Sequence, residues 1–242
     1  MIEIENLTKK YGDHVAVDHL SFRIDRGMIY GFLGPNGAGK STTMNIMTGY
    51  IAATEGTVKI NGYDILKEPE KAKKSIGYLP EIPPVYPDMT VYEYLKFVAE
   101  LKKVPREERK EQIEDIMEQT RVYDVKDRLI KNLSKGYKQR VGLAQAILGF
   151  PETIILDEPM VGLDPQQIIE MRELIRSLSK NHTVILSSHI LAEVREICDL
   201  LGGFNDAAFN RIFNVPGAIL QLMVIGVFIF LTIQSIEKRR WS

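Results

Sequence analysis

Nine consecutive residues, Gly34-Pro35-Asn36-Gly37-Ala38-Gly39-Lys40-Ser41-Thr42, match G-x-x-x-x-G-K-[ST], a phosphate-gripping pattern. Glycines let a backbone wrap an anion, because they accept φ > 0 and carry no side chain. The N–H groups of such a loop and of the helical turn after it face the phosphate, aided by the helix dipole. Lys40 brings a cation to the β- and γ-phosphates, and Ser41 offers a hydroxyl to Mg²⁺.

A second chemical stretch lies far downstream. The apolar, β-branched run 153–156 ends in Asp157-Glu158-Pro159. At a strand end beside a phosphate loop, Asp157 can face Mg²⁺ through water, since that ion keeps part of its hydration shell. Glu158 can then orient the attacking water or accept its proton. His189 directly follows another apolar run, 183–187. A lone histidine is either structural or exposed, or, at the C-terminal end of a strand in an open α/β sheet, it faces the ligand crevice. Ser134 precedes a helical run to Leu148 and reads locally as an N-cap and no more. Tyr11 either stacks on a base or packs on a rim.

These groups need elements to hold them. Residues 28–33 are apolar enough for a buried strand into the loop, and 42–47 can run on as a helix. Ile2, Ile4 and Leu7 predict a first strand and 15–24 a second, with Lys10-Tyr11-Gly12 as the turn between. Residues 56–60 before Asn61-Gly62 predict a strand and tight turn. Residues 76–79 predict a short strand that leads into Pro80-Glu81-Ile82-Pro83-Pro84, too proline-rich for regular structure. Thr90 and Glu93 have capping-box spacing, opening a helix with Val91, Tyr94, Leu95, Val98 and Leu101 on one face. A second amphipathic helix follows Pro105, with Ile113, Ile116 and Met117 facing inward and a charged, solvated face opposite. Gly162-Leu163-Asp164-Pro165 is a turn before a helix from Gln166 to about Lys180.

With 242 residues, 45% of them hydrophobic and 26% charged, the chain can bury a sizeable core. A net charge of −1 gives no reason to expect nucleic acid. The single cysteine, Cys198, excludes an internal disulfide. Met1-Ile2-Glu3-Ile4-Glu5 alternates like a strand and is not read as a signal peptide.

Taken in order, the motifs over about residues 1–200 resemble the ATP-hydrolysing subunit of ABC transporters. Residues 34–42 look like the Walker A loop, and 154–158 like the Walker B strand with its glutamate. Residues 133–139 look like the signature motif, and 162–164 like the D-loop. Tyr11 falls at the family's base-stacking aromatic and His189 at its switch histidine. The run Leu133-Ser134-Lys135-Gly136-Tyr137 is most similar to exporter ATPases. The chain departs from the family in three places. Glu81 stands where a glutamine is usual, and would bring a negative charge near the phosphates and Mg²⁺. Lys135 and Tyr137 replace a glycine and a glutamine, with Ser134 and Gly136 kept, and Met160 replaces a threonine.

The resemblance implies an α/β fold: a P-loop NTPase core, an N-terminal antiparallel β subdomain, and an inserted α-helical subdomain over about 81–150. It implies ATP and Mg²⁺, with ATP between the P-loop of one copy and Ser134 and Gly136 of a second, head-to-tail copy. Ser41, Asp157 and Glu81 would serve the metal, and Glu158 and His189 the reaction. A membrane permease would be the partner, at the cytoplasmic face of the cell membrane. Rival readings are a soluble ATPase of this family acting on nucleic acid or ribosomes, and a defective fusion that binds nucleotide and drives nothing.

The last stretch, 201–242, departs from this pattern. Leu200-Leu201-Gly202-Gly203-Phe204-Asn205-Asp206 shows no strand pattern. Residues 215–233 are nearly all apolar and uncharged, and Glu237-Lys238-Arg239-Arg240-Trp241 closes them. Either a buried core helix or a membrane span over 215–236 fits. A span would conflict with topology, because Lys238, Arg239 and Arg240 and the ATPase would both belong on the cytoplasmic side. The expectation is a junction near Leu200, where the front of an ATPase meets the last span of a permease through an in-frame deletion. The test is the DNA across it: an uninterrupted gene in independent isolates removes the idea.

Overall fold

The computed structural model describes residues 1–203. The expected apolar helix at 215–236 and the rest of the tail lie outside the described residues.

Two sheets carry the described residues. The first is antiparallel, in the order β2-β1-β4-β5, from β1 (Ile2–Tyr11), β2 (His14–Ile24), β4 (Glu55–Ile60) and β5 (Tyr63–Asp64). The second runs β6-β7-β8-β3-β9, from β3 (Ile29–Leu33), β6 (Ile76–Leu79), β7 (Thr153–Leu156), β8 (Thr183–Ser188) and β9 (Leu200–Gly203). Its β6–β7, β7–β8 and β3–β8 pairs are parallel. Every residue of β7 and β8 is buried, which explains why both read as unbroken apolar runs rather than alternating ones.

In β1, Ile2, Ile4 and Leu7 are buried, although the last gap is three residues. Asn6, at φ 49°, lies where the pairing with β2 slips between Ile4 and Leu7. That bulge puts Leu7 back on the inner face.

Helix α1 (Lys40–Met47) leaves the phosphate loop. The short α2 (Pro69–Lys74) buries only Ala72, so it had no periodic signal to read. Thr90 and Glu93 form the expected reciprocal box at the start of α3 (Val91–Leu101). Helix α4 (Arg106–Gln119) buries Ile113, Ile116 and Met117. Ser134 caps α5 (Lys135–Ile147), accepting from the Tyr137 N–H, and Asp164 caps α6 (Pro165–Leu178). Helix α7 (Leu191–Arg195) follows β8. Leu95, Ile113 and Val141 of the helical insertion share one apolar core with Leu79, Leu156 and Leu186 of the central sheet. The α/β class, the antiparallel β subdomain and the helical insertion are all present.

One expectation is corrected. Residues 200–203 do form a strand, β9, which joins the central sheet beside β3. Just before it, the Asp199 N–H donates to the Ile29 carbonyl at 2.9 Å, and Asp199 Oδ2 accepts the Ile29 N–H at 2.8 Å. Two glycines in four residues hide such a strand, since pairing rather than propensity makes it.

Candidate functional site

The parallel order of the central sheet brings the C-terminal ends of β3, β7 and β8 side by side, and each hands the chain to a reactive group. After β3 the loop turns through Gly37 at φ 85° and Gly39 at φ 94° into α1. At Gly39 a Cβ would lie 2.4 Å from the Ala16 carbonyl oxygen, so the loop is closed against β2 by the absence of a side chain. Gly34 N–H donates to the Ser188 carbonyl at 3.4 Å, and Ala38 N–H to that of Pro35 at 3.2 Å. Lys40 is 5% exposed, and its ammonium donates to the Gly34 and Pro35 carbonyls at 2.5 and 3.2 Å.

After β7 come the two carboxylates. The Asp157 N–H donates to the Leu79 carbonyl at 2.8 Å, and the Ser187 hydroxyl of β8 donates to Asp157 Oδ1 at 2.6 Å. That hydroxyl also accepts the Glu158 N–H at 2.8 Å. Glu158 sits at φ 48°, a left-handed conformation that non-glycine residues hold only under constraint. Its Oε1 lies 3.6 Å from Lys40 Nζ and has no hydrogen-bond partner among the described residues, although it is buried. Its Oε2 lies 3.0 Å from His189 Nδ1. His189 is fixed from behind. The Ser188 hydroxyl donates to buried Glu193 at 2.9 Å and accepts the Ile190 N–H at 3.1 Å.

Lys40, Glu158 and His189 line one cleft of about 510 Å³. Asn36, Gly37, Gly39, Ser41 and Thr42 line its floor, and Tyr11 and Glu81 its walls. The half-exposed Tyr11 ends β1 rather than sitting in the turn, and Lys9 Nζ lies 5.0 Å from its ring centre. Asp157 is buried and is not among the residues that line the cleft. Nearby, burial and the Asp157 charge raise the pKa of the Tyr78 phenol, which donates to Asn45 Oδ1 at 3.3 Å.

The donor set suits a hard cation. Asp157 Oδ1 is spent on Ser187, which leaves one carboxylate oxygen, with the Ser41 hydroxyl and the Glu81 carboxylate at the cleft. Mg²⁺ is held in this way, by one or two carboxylates together with substrate phosphates and water, rather than by a dense protein cage.

The structure does not bring every expected residue to this cleft. Gly34, Pro35, Ala38, Ser134 and Gly136 lie outside its lining, with Ser134 exposed at the start of α5. Gly136 lies against α6, where a Cβ would meet the Gln167 side chain at 2.7 Å. The Tyr137 hydroxyl donates to Asp124 at 2.9 Å, so that departure from the signature has a local partner. Met160 is part of the apolar core. Sequence reasoning missed His14, Ala16 and Val161, which complete the lining, and Ser187, which holds both carboxylates. His14 pairs with Tyr11 across the β1–β2 turn, so a strand-pairing argument could have found it.

Residues 17–161 match the ABC transporter family. Over 204 residues the chain is 41% identical to the bacitracin transport ATP-binding protein BcrA of Bacillus licheniformis, covering 84% of this chain and 66% of that protein. It is 36% identical over 203 residues to the lantibiotic transport ATP-binding protein SrtF of Streptococcus pyogenes, covering 84% of this chain and 86% of SrtF. A solved ATP-binding subunit of an ABC transporter superposes with a TM-score of 0.76 at 31% identity, covering 84% of this chain and 85% of its own. The cbiO1 protein of Clostridium perfringens, part of the ABC transporter complex cbiONQ, gives 0.77 at 29% identity, covering 84% of each chain. The strand-end cleft, the motifs that line it and this family match lead to one statement: the chain belongs to the ATP-binding proteins of the ABC transporter family.

Proposed function

We propose that the chain binds and hydrolyses ATP to drive an export-type ABC transporter. The observation that carries the reading is the convergence of Lys40, Ser41, Glu158 and His189 on one cleft, with Tyr11 at its rim. The glycine loop and Lys40 hold the triphosphate, and Tyr11 stacks on the base. Ser41, Asp157 and Glu81 would hold the metal. Bound Mg²⁺ would supply charge neutralisation at the phosphates. Glu158 takes a proton from the attacking water as its oxygen bonds to the γ-phosphorus. The bond from the γ-phosphorus to the β–γ bridging oxygen breaks, and ADP leaves. His189 holds the γ-phosphate, and its contact with Glu158 keeps the pair in register.

Residues 1–200 act as the ATP-binding domain, with 81–150 as its helical lobe. The exposed start of α5 supports a head-to-tail pairing of two copies. Ser134 and Gly136 of one copy would close on the nucleotide of the other, with the helix dipole aimed at the γ-phosphate. A groove of about 430 Å³ lined by Ile82, Pro83, Val85 and Pro87, with Ile82 81% exposed, supports a permease partner. That contact would place the chain at the cytoplasmic face of the membrane. The transport reading draws on the printed names of BcrA and SrtF, and the export direction on the likeness of Leu133-Ser134-Lys135-Gly136-Tyr137 to exporter ATPases.

The test is labelled-ATP retention and turnover with Mg²⁺ in three proteins. The natural chain retains and hydrolyses nucleotide. Lys40→Ala loses retention. Glu158→Gln keeps retention and loses about 10²-fold or more in turnover. Equal retention by Lys40→Ala, or full turnover by Glu158→Gln, ends the reading.

A further inference from the structure

Two residues beyond β6, Glu81 reaches the wall of the nucleotide cleft, and its peptide is held from outside the cleft. Gln139, in the second turn of α5, donates from Nε2 to the Glu81 carbonyl at 3.0 Å. A carbonyl only accepts, so the NH₂ end of the amide must face it and Oε1 must point elsewhere. Gln139 is 1% exposed, and that Oε1 has no partner among the described residues. An open buried acceptor costs stability, a cost that a leucine or methionine of similar size would avoid.

Helix α5 also meets the same segment on either side of this bond. A Cβ at Gly142 would come within 2.6 Å of Leu79 Cδ1 and 2.8 Å of Pro83 Cβ. The helix that begins at Ser134 and Gly136 therefore grips the chain at Leu79, Glu81 and Pro83. The middle grip is the only one of the three that is directional.

We infer that Gln139 is a positioning residue: it sets how far the Glu81 carboxylate enters the cleft and ties that depth to the position of α5. The inference rests on the reading of Glu81 as a metal neighbour. It gives α5 two coupled tasks, one at the cleft of its own copy and one toward the second copy. It also accounts for a carboxylate near the phosphates, because a tethered backbone limits how closely that charge can approach them.

The test titrates Mg²⁺ at fixed ATP and reads two quantities: the rise in melting temperature and the rate of hydrolysis. For Gln139→Leu, the Mg²⁺ concentration at half-effect is expected to rise at least fivefold in both, with nucleotide retention at saturating Mg²⁺ unchanged. Glu81→Ala shifts it too, and the double variant matches Glu81→Ala alone, because residues that act through one another are not additive. If the leucine variant fails to fold, Gln139→Glu keeps the shape, removes the donor and is expected to show the same shift. A Gln139 variant that titrates like the natural chain, or a double variant whose shifts add, overturns the inference and leaves the ATPase reading standing. A Glu81→Ala variant that titrates like the natural chain removes Glu81 from the metal and takes the inference with it.

Discussion

Ser187 holds Asp157 at 2.6 Å, and the same hydroxyl accepts the backbone N–H of Glu158 at 2.8 Å. One buried oxygen on β8 thus sets both carboxylates at the end of β7. In Ser187→Ala the Glu158 N–H loses its acceptor and Asp157 its donor. The expected loss is about 1–3 kcal/mol of stability, read from the urea midpoint. Turnover should fall about tenfold or more, with ATP retention preserved. Unchanged turnover would mean that the left-handed turn at Glu158 holds without the hydroxyl.

Gly39→Ala tests the loop itself. The residue sits at φ 94°, and the new methyl would meet the Ala16 carbonyl oxygen at 2.4 Å. Backbone strain and a clash with backbone act together here, and neither is relieved by a rotamer change. Loss of nucleotide retention is expected, with about 2 kcal/mol or more of destabilisation. A variant that melts and binds like the natural protein would show that the loop can move away from β2.

Tyr11 offers a ring, and its hydroxyl has no assigned task. Tyr11→Phe should leave ATP affinity within about twofold, whereas Tyr11→Ala should weaken it about tenfold or more, as loss of a base stack does. Lys9 approaches that ring at 5.0 Å, so Lys9→Ala is expected to matter less than the loss of the ring. Fluorescent-nucleotide titration separates the cases. An alanine variant that binds as well as the phenylalanine one would take the base away from Tyr11.

Cys198 makes a prediction about pH. Burial, with the Asp199 charge beside it, pushes the thiol up to about 12. At pH 8 the reactive thiolate is then on the order of one molecule in ten thousand, far below an ordinary thiol near 8.5. Maleimide labelling of the folded protein should therefore be slow at pH 8 and complete rapidly in urea. Fast labelling without denaturant would show that the α7–β9 link opens readily.

Strands β7 and β8 were legible because a strand buried on both faces is apolar at every position. The α3 start was legible because Thr90 and Glu93 bond each other across three residues of local chain. Lys40, Glu158, His189 and Tyr11 were legible as motifs, and the fold brings them to one cleft. What escaped depends on partners distant in sequence. Ser187 looks like an ordinary strand residue until β7 is placed beside it, and Gln139, although inside the run that looks like the signature motif, shows no partner until Glu81 is 3.0 Å away. Leu7 was legible with Ile2 and Ile4, but the slip at Asn6 that returns it to the inner face was not. Leu200-Leu201-Gly202-Gly203 lacks the branched residues that announce a strand, and only a neighbour with free backbone groups makes it one.

That neighbour is β3, which has β8 along one side and β9 along the other. The segment that feeds the phosphate loop therefore lies inside the sheet instead of forming its hem. Any shortened version of the protein, made for crystallisation or screening, belongs beyond Gly203. A cut ahead of Leu200 would bare a row of peptide groups on β3 and invite another molecule to stitch itself there.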